Sequence, residues 1–434
     1  MKKDILLVLL VFLSVVITAY GQPNLIPAQP QQQPITITGA TIHVGNGIVI
    51  NNGYITFTDG KIVATGEGNP AVLANATVIN ATGKHIYPGF IAPLTELGLV
   101  EIESGAKGTV DVGETGELNP HVRSIVAYNT DSKVIPTLRS NGILLAQIVP
   151  EGDQISGQSS VVQLDAWNWE DAAYKTDIAI HLNWPQIRPA FGSQSADAPS
   201  EKQKEEVRKK IEELESYFAQ ARAYAEKQVP EIKNLRFEAM KGLFNGSKKL
   251  FIEANQAKDI LQAVEFGKKF GLRIVITGGT ESYLVTNALH EAGVPVILRE
   301  TQTLPDKVED DVYLPYKLPR ILQDAGLLYG LTGTGYWRQR NLPFEAGNAV
   351  PYGLTKEQAL SMITLNTAKI LGIDRTCGSL EPGKDATLFI SEGDALDMLT
   401  LKVEKAFIQG RDINMDNLHK QLYRKFAEKY GINP

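Results

Sequence analysis

Two β-patterned ends enclosing a middle of alternating strand-like and helical runs constrain this chain more than any other feature. From Ile35 the apolar period is two. Ile35-Thr36-Ile37-Thr38 and Tyr54-Ile55-Thr56-Phe57 alternate, and Asp59-Gly60 turns the chain into Lys61-Ile62-Val63-Ala64. Thr77–Ile79 and His85–Tyr87 continue the pattern, and Ala386–Ile390 and Val403–Ile408 repeat it near the other end. Between them, apolar runs fall at Ile143–Val149, Ile178–Leu182, Leu250–Ala254, Ile274–Thr277, Val294–Leu298 and Leu327–Thr332. Helical spacing fills the gaps at Lys258–Phe270, Glu281–Ala292 and Thr355–Leu371, the last opening on a capping box, Thr355-x-x-Gln358. Ser200–Lys227 is a long charged helix whose Glu205/Lys209 and Glu206/Lys210 spacing marks a solvated face, an insertion on one βα unit. The alternation predicts an α/β protein in which both chain ends build one small β-sandwich.

Ahead of this body, residues 1–21 read as a secretory signal: Lys2 and Lys3, the apolar run Ile5–Ile17, then small residues before Gln22. The expected location is therefore secreted or periplasmic, with no membrane span once the signal is removed. Residues 22–34 are Pro- and Gln-rich and read as a disordered linker. The lone Cys377 rules out an internal disulfide, and a net charge of −6 argues against nucleic acid and anionic lipid surfaces.

The junction Gly83-Lys84-His85-Ile86-Tyr87-Pro88-Gly89-Phe90-Ile91-Ala92-Pro93-Leu94-Thr95-Glu96-Leu97-Gly98 resembles the signature Pro-Gly-Phe-Ile-Asp-x-His-x-His-x-Gly of the amidohydrolase superfamily. Thr364–Gly372 and Gly378–Ala386 extend the likeness, which is nearest to the imidazolonepropionase-like branch. The resemblance implies a (β/α)8 TIM-like barrel over 89–375, a composite sandwich from 35–88 and 376–412, and a C-terminal helix in 413–434. It also implies hydrolysis of C–N bonds in cyclic amides or dipeptides by a divalent metal.

The ligand positions do not follow. Leu94 and Glu96 stand where the first-strand histidines belong, and Ala92 replaces the aspartate. Glu253-Ala254-Asn255 replaces a His-Ala-His context, and Gly278 stands where a further imidazole belongs. Leu331-Thr332-Gly333-Thr334-Gly335 lacks the eighth-strand aspartate. A catalytic zinc site wants about three protein ligands and an open position, and these positions offer two carboxylates and no imidazole. Of the six histidines, His43, His85, His290 and His419 fall away from the expected barrel mouth; only His121 and His181 could approach it.

Glu96, Glu253 and His181 remain as candidate catalytic groups, the two carboxylates as an acid/base pair or as partners of Arg or Lys. Arg299 is a candidate anion clamp, or a partner of Glu253 or Glu300. Tyr336 and Trp337 are candidate ligand contacts, or a packed turn. Gly105–Gly116 reads as a mobile flap over the mouth. The expectation is an exported amidohydrolase-like protein without metal or other cofactor, acting as a binding or partner subunit. Its partners would be a small-molecule ligand and an oligomer, including one with an active homologue. The alternative is an active C–N hydrolase with a non-standard site, and zinc belongs to that reading alone.

Overall fold

The computed structural model describes residues 26–71, 73–102, 106–187, 200–227 and 232–432. The expected signal segment, residues 1–21, lies outside them.

The N-terminal strands are β1 (Ile35–His43), β2 (Val49–Thr58), β3 (Lys61–Glu67), β4 (Thr77–Asn80) and β5 (His85–Pro88). The barrel strands are β6 (Phe90–Thr95), β7 (Ile143–Ile148), β8 (Ile155–Gln163), β9 (Ala173–Asn183), β10 (Lys249–Ala254), β11 (Ile274–Gly278), β12 (Val296–Leu298) and β13 (Tyr329–Leu331). The chain returns through β14 (Leu388–Ser391), β15 (Val403–Ile408) and β16 (Arg411–Ile413).

Both chain ends share one eight-stranded sheet, β16-β15-β14-β5-β1-β2-β3, with β4 on β1. The seam between the two ends is β14 against β5, pairing Phe389 with Tyr87. The sheet curls until β2 meets β15, where the Phe57 and Phe407 rings lie 5.1 Å apart at 66°. Its core holds Ile37, Ile42, Ile55, Ile86 and Leu388, the inward positions of the period-two pattern.

The other eight strands run β13-β12-β11-β10-β9-β8-β7-β6 in a nearly closed barrel, as expected. Alternate residues point to opposite faces. Ile91, Leu145, Phe251, Val275 and Ile297 share one cluster with Ile370 and Ile373, whereas Leu144, Ile252, Ile276 and Leu298 pack with the surrounding helices. Both faces are thus buried, which is why these strands read as continuous apolar runs. The seam is bridged by side chains: Thr332 Oγ1 donates to Pro93 O at 2.5 Å, and Thr95 Oγ1 to Gly335 O at 3.3 Å.

Strict βα alternation fails in one place. β8 pairs antiparallel with both β7 and β9, so three strands form a meander. Its sequence, ISGQSSVVQ, is too polar to announce a strand, yet every residue is buried. Other boundaries shift. The helix expected over Thr355–Leu371 is two, Lys356–Met362 and Leu365–Leu371, because Thr364 leaves helical geometry at φ −130°, ψ −97°. The helix expected from Glu281 begins at Thr286, after a 3-10 turn at Ser282–Leu284. The charged helix spans Glu201–Ala225 on a Ser200 capping box and buries only Leu214, Phe218 and Ala221. Its ion pairs include Lys202–Glu206, Arg208–Glu205 and Lys209–Glu213, on the expected solvated face but between other partners. The final helix is Leu418–Tyr430.

Residues 26–34, read from composition as a linker, lie along both sheets. Ala28 N donates to Asp165 Oδ2 at 2.8 Å. The Gln31 amide donates to Phe57 O and accepts from Gly60 N.

Candidate functional site at the barrel mouth

A cavity of about 580 Å³ opens where the parallel barrel strands end, the end that carries the site in barrels of this kind. Glu96, His181, Glu253 and Arg299 all line it, together with Leu94 and Gly278. Four residues named from sequence therefore meet in one place. Glu96, Glu253 and Arg299 sit at strand ends or just beyond them, and His181 lies two residues before the end of β9 with its ring against Phe251.

The Glu253 carboxylate is committed. Arg299 Nη2 donates to Glu253 Oε1 at 2.6 Å, so Arg299 is an internal partner in this structure and not an open anion clamp. Glu300 turns away, accepting from Thr334 Oγ1.

His181 ends a chain of hydrogen bonds. Leu94 N donates to Gln147 Oε1 at 3.3 Å, which fixes the amide orientation; Gln147 Nε2 then donates to Ser159 Oγ at 2.9 Å. Ser159 is fully buried, and its Oγ lies 2.7 Å from His181 Nε2. The Ser159 hydroxyl accepts from Gln147 and still has a proton to give and a second lone pair, so it can donate to or accept from His181 Nε2 according to the ring's tautomer. Burial pushes the His181 imidazolium down to about 3, and the ring is a neutral group at any ordinary pH.

The residues do not fit a divalent ion. Leu94 has no lone pair, and its backbone is left-handed at φ +52°, a conformation disfavoured for a branched side chain. Gly278 also has positive φ, +85°, and a Cβ there would stand 2.3 Å from Asn255 Oδ1. Glycine thus makes room for Asn255, whose buried Oδ1 has no hydrogen-bond partner among the described residues. Thr332, where the eighth-strand aspartate is missing, spends its hydroxyl on Pro93 O. Among the described residues no group of three or more His, Cys, Asp or Glu side chains is placed to hold a metal.

Three expectations need correction. Tyr336 and Trp337 do not line the mouth. Gly335, at φ +66°, redirects the chain so that Tyr336 is 9 % exposed and donates from its hydroxyl to Glu101 O at 3.3 Å. The Trp337 ring meets His419 edge-on at 5.9 Å and carries Arg340 at 4.8 Å. The expected flap is the third. Gly105 lies outside the described residues, and residues 106–116 are pinned by hydrogen bonds and do not line the cavity. Asp111 N donates to Leu99 O, Glu151 N donates to Val112 O, and the Asn119 amide donates to the carbonyls of Glu114, Thr115 and Gly116.

Sequence reasoning missed Glu151 and Asn183 in the lining. Glu151 follows the end of β7 and Asn183 closes β9; position at a strand end was the available signal. His121 lines a separate cavity with Asp111 and Arg123.

Comparison with known proteins agrees with this architecture. The Amidohydrolase family profile matches residues 339–416. Amidohydrolase tasK of Hapsidospora irregularis is 35% identical over 118 residues, 25% of this chain and 12% of that protein. An imidazolonepropionase of Flavobacterium psychrophilum is 27% identical over 177 residues, 35% of this chain and 43% of that one. The chain therefore spans less than half the length of these curated relatives. The crystal structure of an amidohydrolase from Thermotoga maritima superposes with a TM-score of 0.74 at 25% identity, over 88% of this chain and 99% of that one. Barrel, composite sheet and sequence kinship together place this chain in the amidohydrolase superfamily, on its imidazolonepropionase-like side.

Proposed function

We propose that the barrel mouth binds a small polar molecule without a hydrolytic metal, and that the chain acts as a binding or partner subunit of an exported system. One observation carries this reading: a guanidinium is paired with Glu253 at a position where the family resemblance asks for a metal ligand. Metal-assisted amide hydrolysis needs a cation that polarises the carbonyl and lowers the pKa of a bound water. Arg299 can neutralise Glu253 but cannot ionise water, because it has no open coordination position and stays protonated. A divalent ion would also have to displace it.

What remains is suited to recognition. The neutral His181, aligned by Ser159 and Gln147, can use its other ring nitrogen to hydrogen-bond a ligand. Glu96 and the Arg299–Glu253 pair supply charges of both signs.

A second reading keeps the family's chemistry. The two carboxylates and the neutral imidazole share one cavity, so a metal-free C–N hydrolase would use Glu96 or Glu253 as acid or base. Elemental analysis of unchelated protein separates metal-dependent hydrolysis from both readings. Far less than one ion per chain is expected, and stoichiometric zinc or manganese overturns the proposal. Against a panel of cyclic amides and dipeptides, turnover that falls on Glu253→Gln selects the second reading. Binding without turnover selects the first.

A further inference from the structure

The final helix, Leu418–Tyr430, buries only Ala427 against the body of the protein. Leu418, Leu422, Phe426 and Tyr430 recur at every fourth position with Tyr423 beside them, and all five are exposed. At helical spacing they form one stripe, and Lys425 and Lys429 fall along its edge. The helix carries Lys420, Arg424, Lys425 and Lys429 against Glu428, in a chain of net charge −6; Asp416, just ahead of the helix, pairs with Arg424 at 2.7 Å, so Lys425 and Lys429 give the stripe its positive charge. The bulk acidity therefore conceals a basic, apolar face.

Two further features share that face. Trp167 is 62 % exposed. It borders a cavity of about 590 Å³ whose walls also include Leu418 and Ile26. Ile26 is joined to the residues that contain the apolar run Ile5–Ile17.

We propose that this face docks on an anionic lipid surface. The helix lies in the plane of the interface, its stripe among the upper acyl chains and Lys425 and Lys429 among the headgroups. Trp167, Tyr423 and Tyr430 suit the same boundary, because their rings are apolar at one end and polar at the other. A second copy of the chain fits less well. Thirteen residues make a helix about 20 Å long; with a stripe roughly 10 Å wide it covers about 200 Å², whereas a stable interface needs about 800 Å² per partner. No described helix is long and apolar enough to cross a membrane, so the contact is peripheral.

The test uses the full chain and vesicles of equimolar phosphatidylglycerol and phosphatidylcholine. Because Ile5–Ile17 can bind lipid by itself, the readout is the difference between wild type and variants in co-sedimentation. Leu422→Glu with Phe426→Glu is expected to weaken binding about tenfold or more. Lys425→Ala and Lys429→Ala are expected to cost about fivefold each on these vesicles and little on pure phosphatidylcholine. Tryptophan emission should shift to the blue with vesicles, less so in Trp167→Phe. The replaced side chains are exposed, so melting temperatures should not move. Equal binding by wild type and both sets of variants overturns the proposal. So does a wild-type dimer in sedimentation velocity that the glutamate variant converts to monomer, which would make this face a contact between copies.

Discussion

Two arginine–carboxylate pairs of nearly equal length lie at opposite ends of the barrel. At the base, Arg139 Nη1 meets Asp165 Oδ1 at 2.5 Å with side chains only 4% and 2% exposed. At the mouth, Arg299 Nη2 meets Glu253 Oε1 at 2.6 Å with side chains 47% and 36% exposed. The base pair is part of a scaffold. Asp165 also accepts from Arg411 on β16 and from Ala28 N, so one buried carboxylate ties together the barrel, the composite sheet and the N-terminal segment. The mouth pair is half-exposed and lines the cavity. The same chemistry therefore does two jobs, and burial decides which: a buried charge cannot lose its partner cheaply, whereas a half-exposed one can exchange its partner for water or a ligand.

The sharpest way to break this comparison is Arg139→Ala. It leaves Asp165 buried with the longer Arg411 contact as its one charged partner beside the Ala28 N–H, and urea unfolding should show a loss of about 3–5 kcal/mol. A loss comparable to that of a surface pair would remove the distinction. Next comes the acid limb of stability. The folded His181 resists protonation down to about pH 3, while the unfolded side chain titrates near 6.5. Between those values the unfolded state holds more protons, so stability should fall as pH drops, by about 3 kcal/mol between pH 7 and pH 4 from this group alone. His181→Gln should flatten that limb, and an unchanged profile would show that the ring titrates normally.

Gly278→Ala forces a Cβ against Asn255 and an unfavourable φ, at about 2 kcal/mol. Adding Asn255→Ala should recover part of it, and strict additivity in the double-mutant cycle would deny the contact. The smallest effect is expected from Arg299→Ala, under about 1 kcal/mol in stability, with the consequence appearing instead in ligand affinity at the mouth.

Much of this was legible in the residues. The period-two ends, the junction around Pro88-Gly89-Phe90 and the apolar runs located the composite sheet and seven of the barrel strands, β6 among them by resemblance. β8 was not legible, because Gln158, Ser159 and Ser160 are buried through hydrogen bonds to distant groups, Lys248, Gln147, His181 and Asp177 N. Local composition cannot announce such partners. Among candidate site residues, those at strand ends converged, and those past the Gly335 turn did not, since one left-handed residue rotates everything after it.

The sequence by itself determined which atoms are available: no imidazole at the family's ligand positions, a carboxylate at 96 and at 253, and a glycine at 278. Only the tertiary structure decided their pairings. It gave Glu253 to Arg299, 46 residues away, aligned His181 through Ser159 and Gln147, and set Gly278 beside Asn255. Chemistry is carried by the chain, but partnership between side chains is a matter of ångströms, and those distances exist only after the strands have closed around a common core.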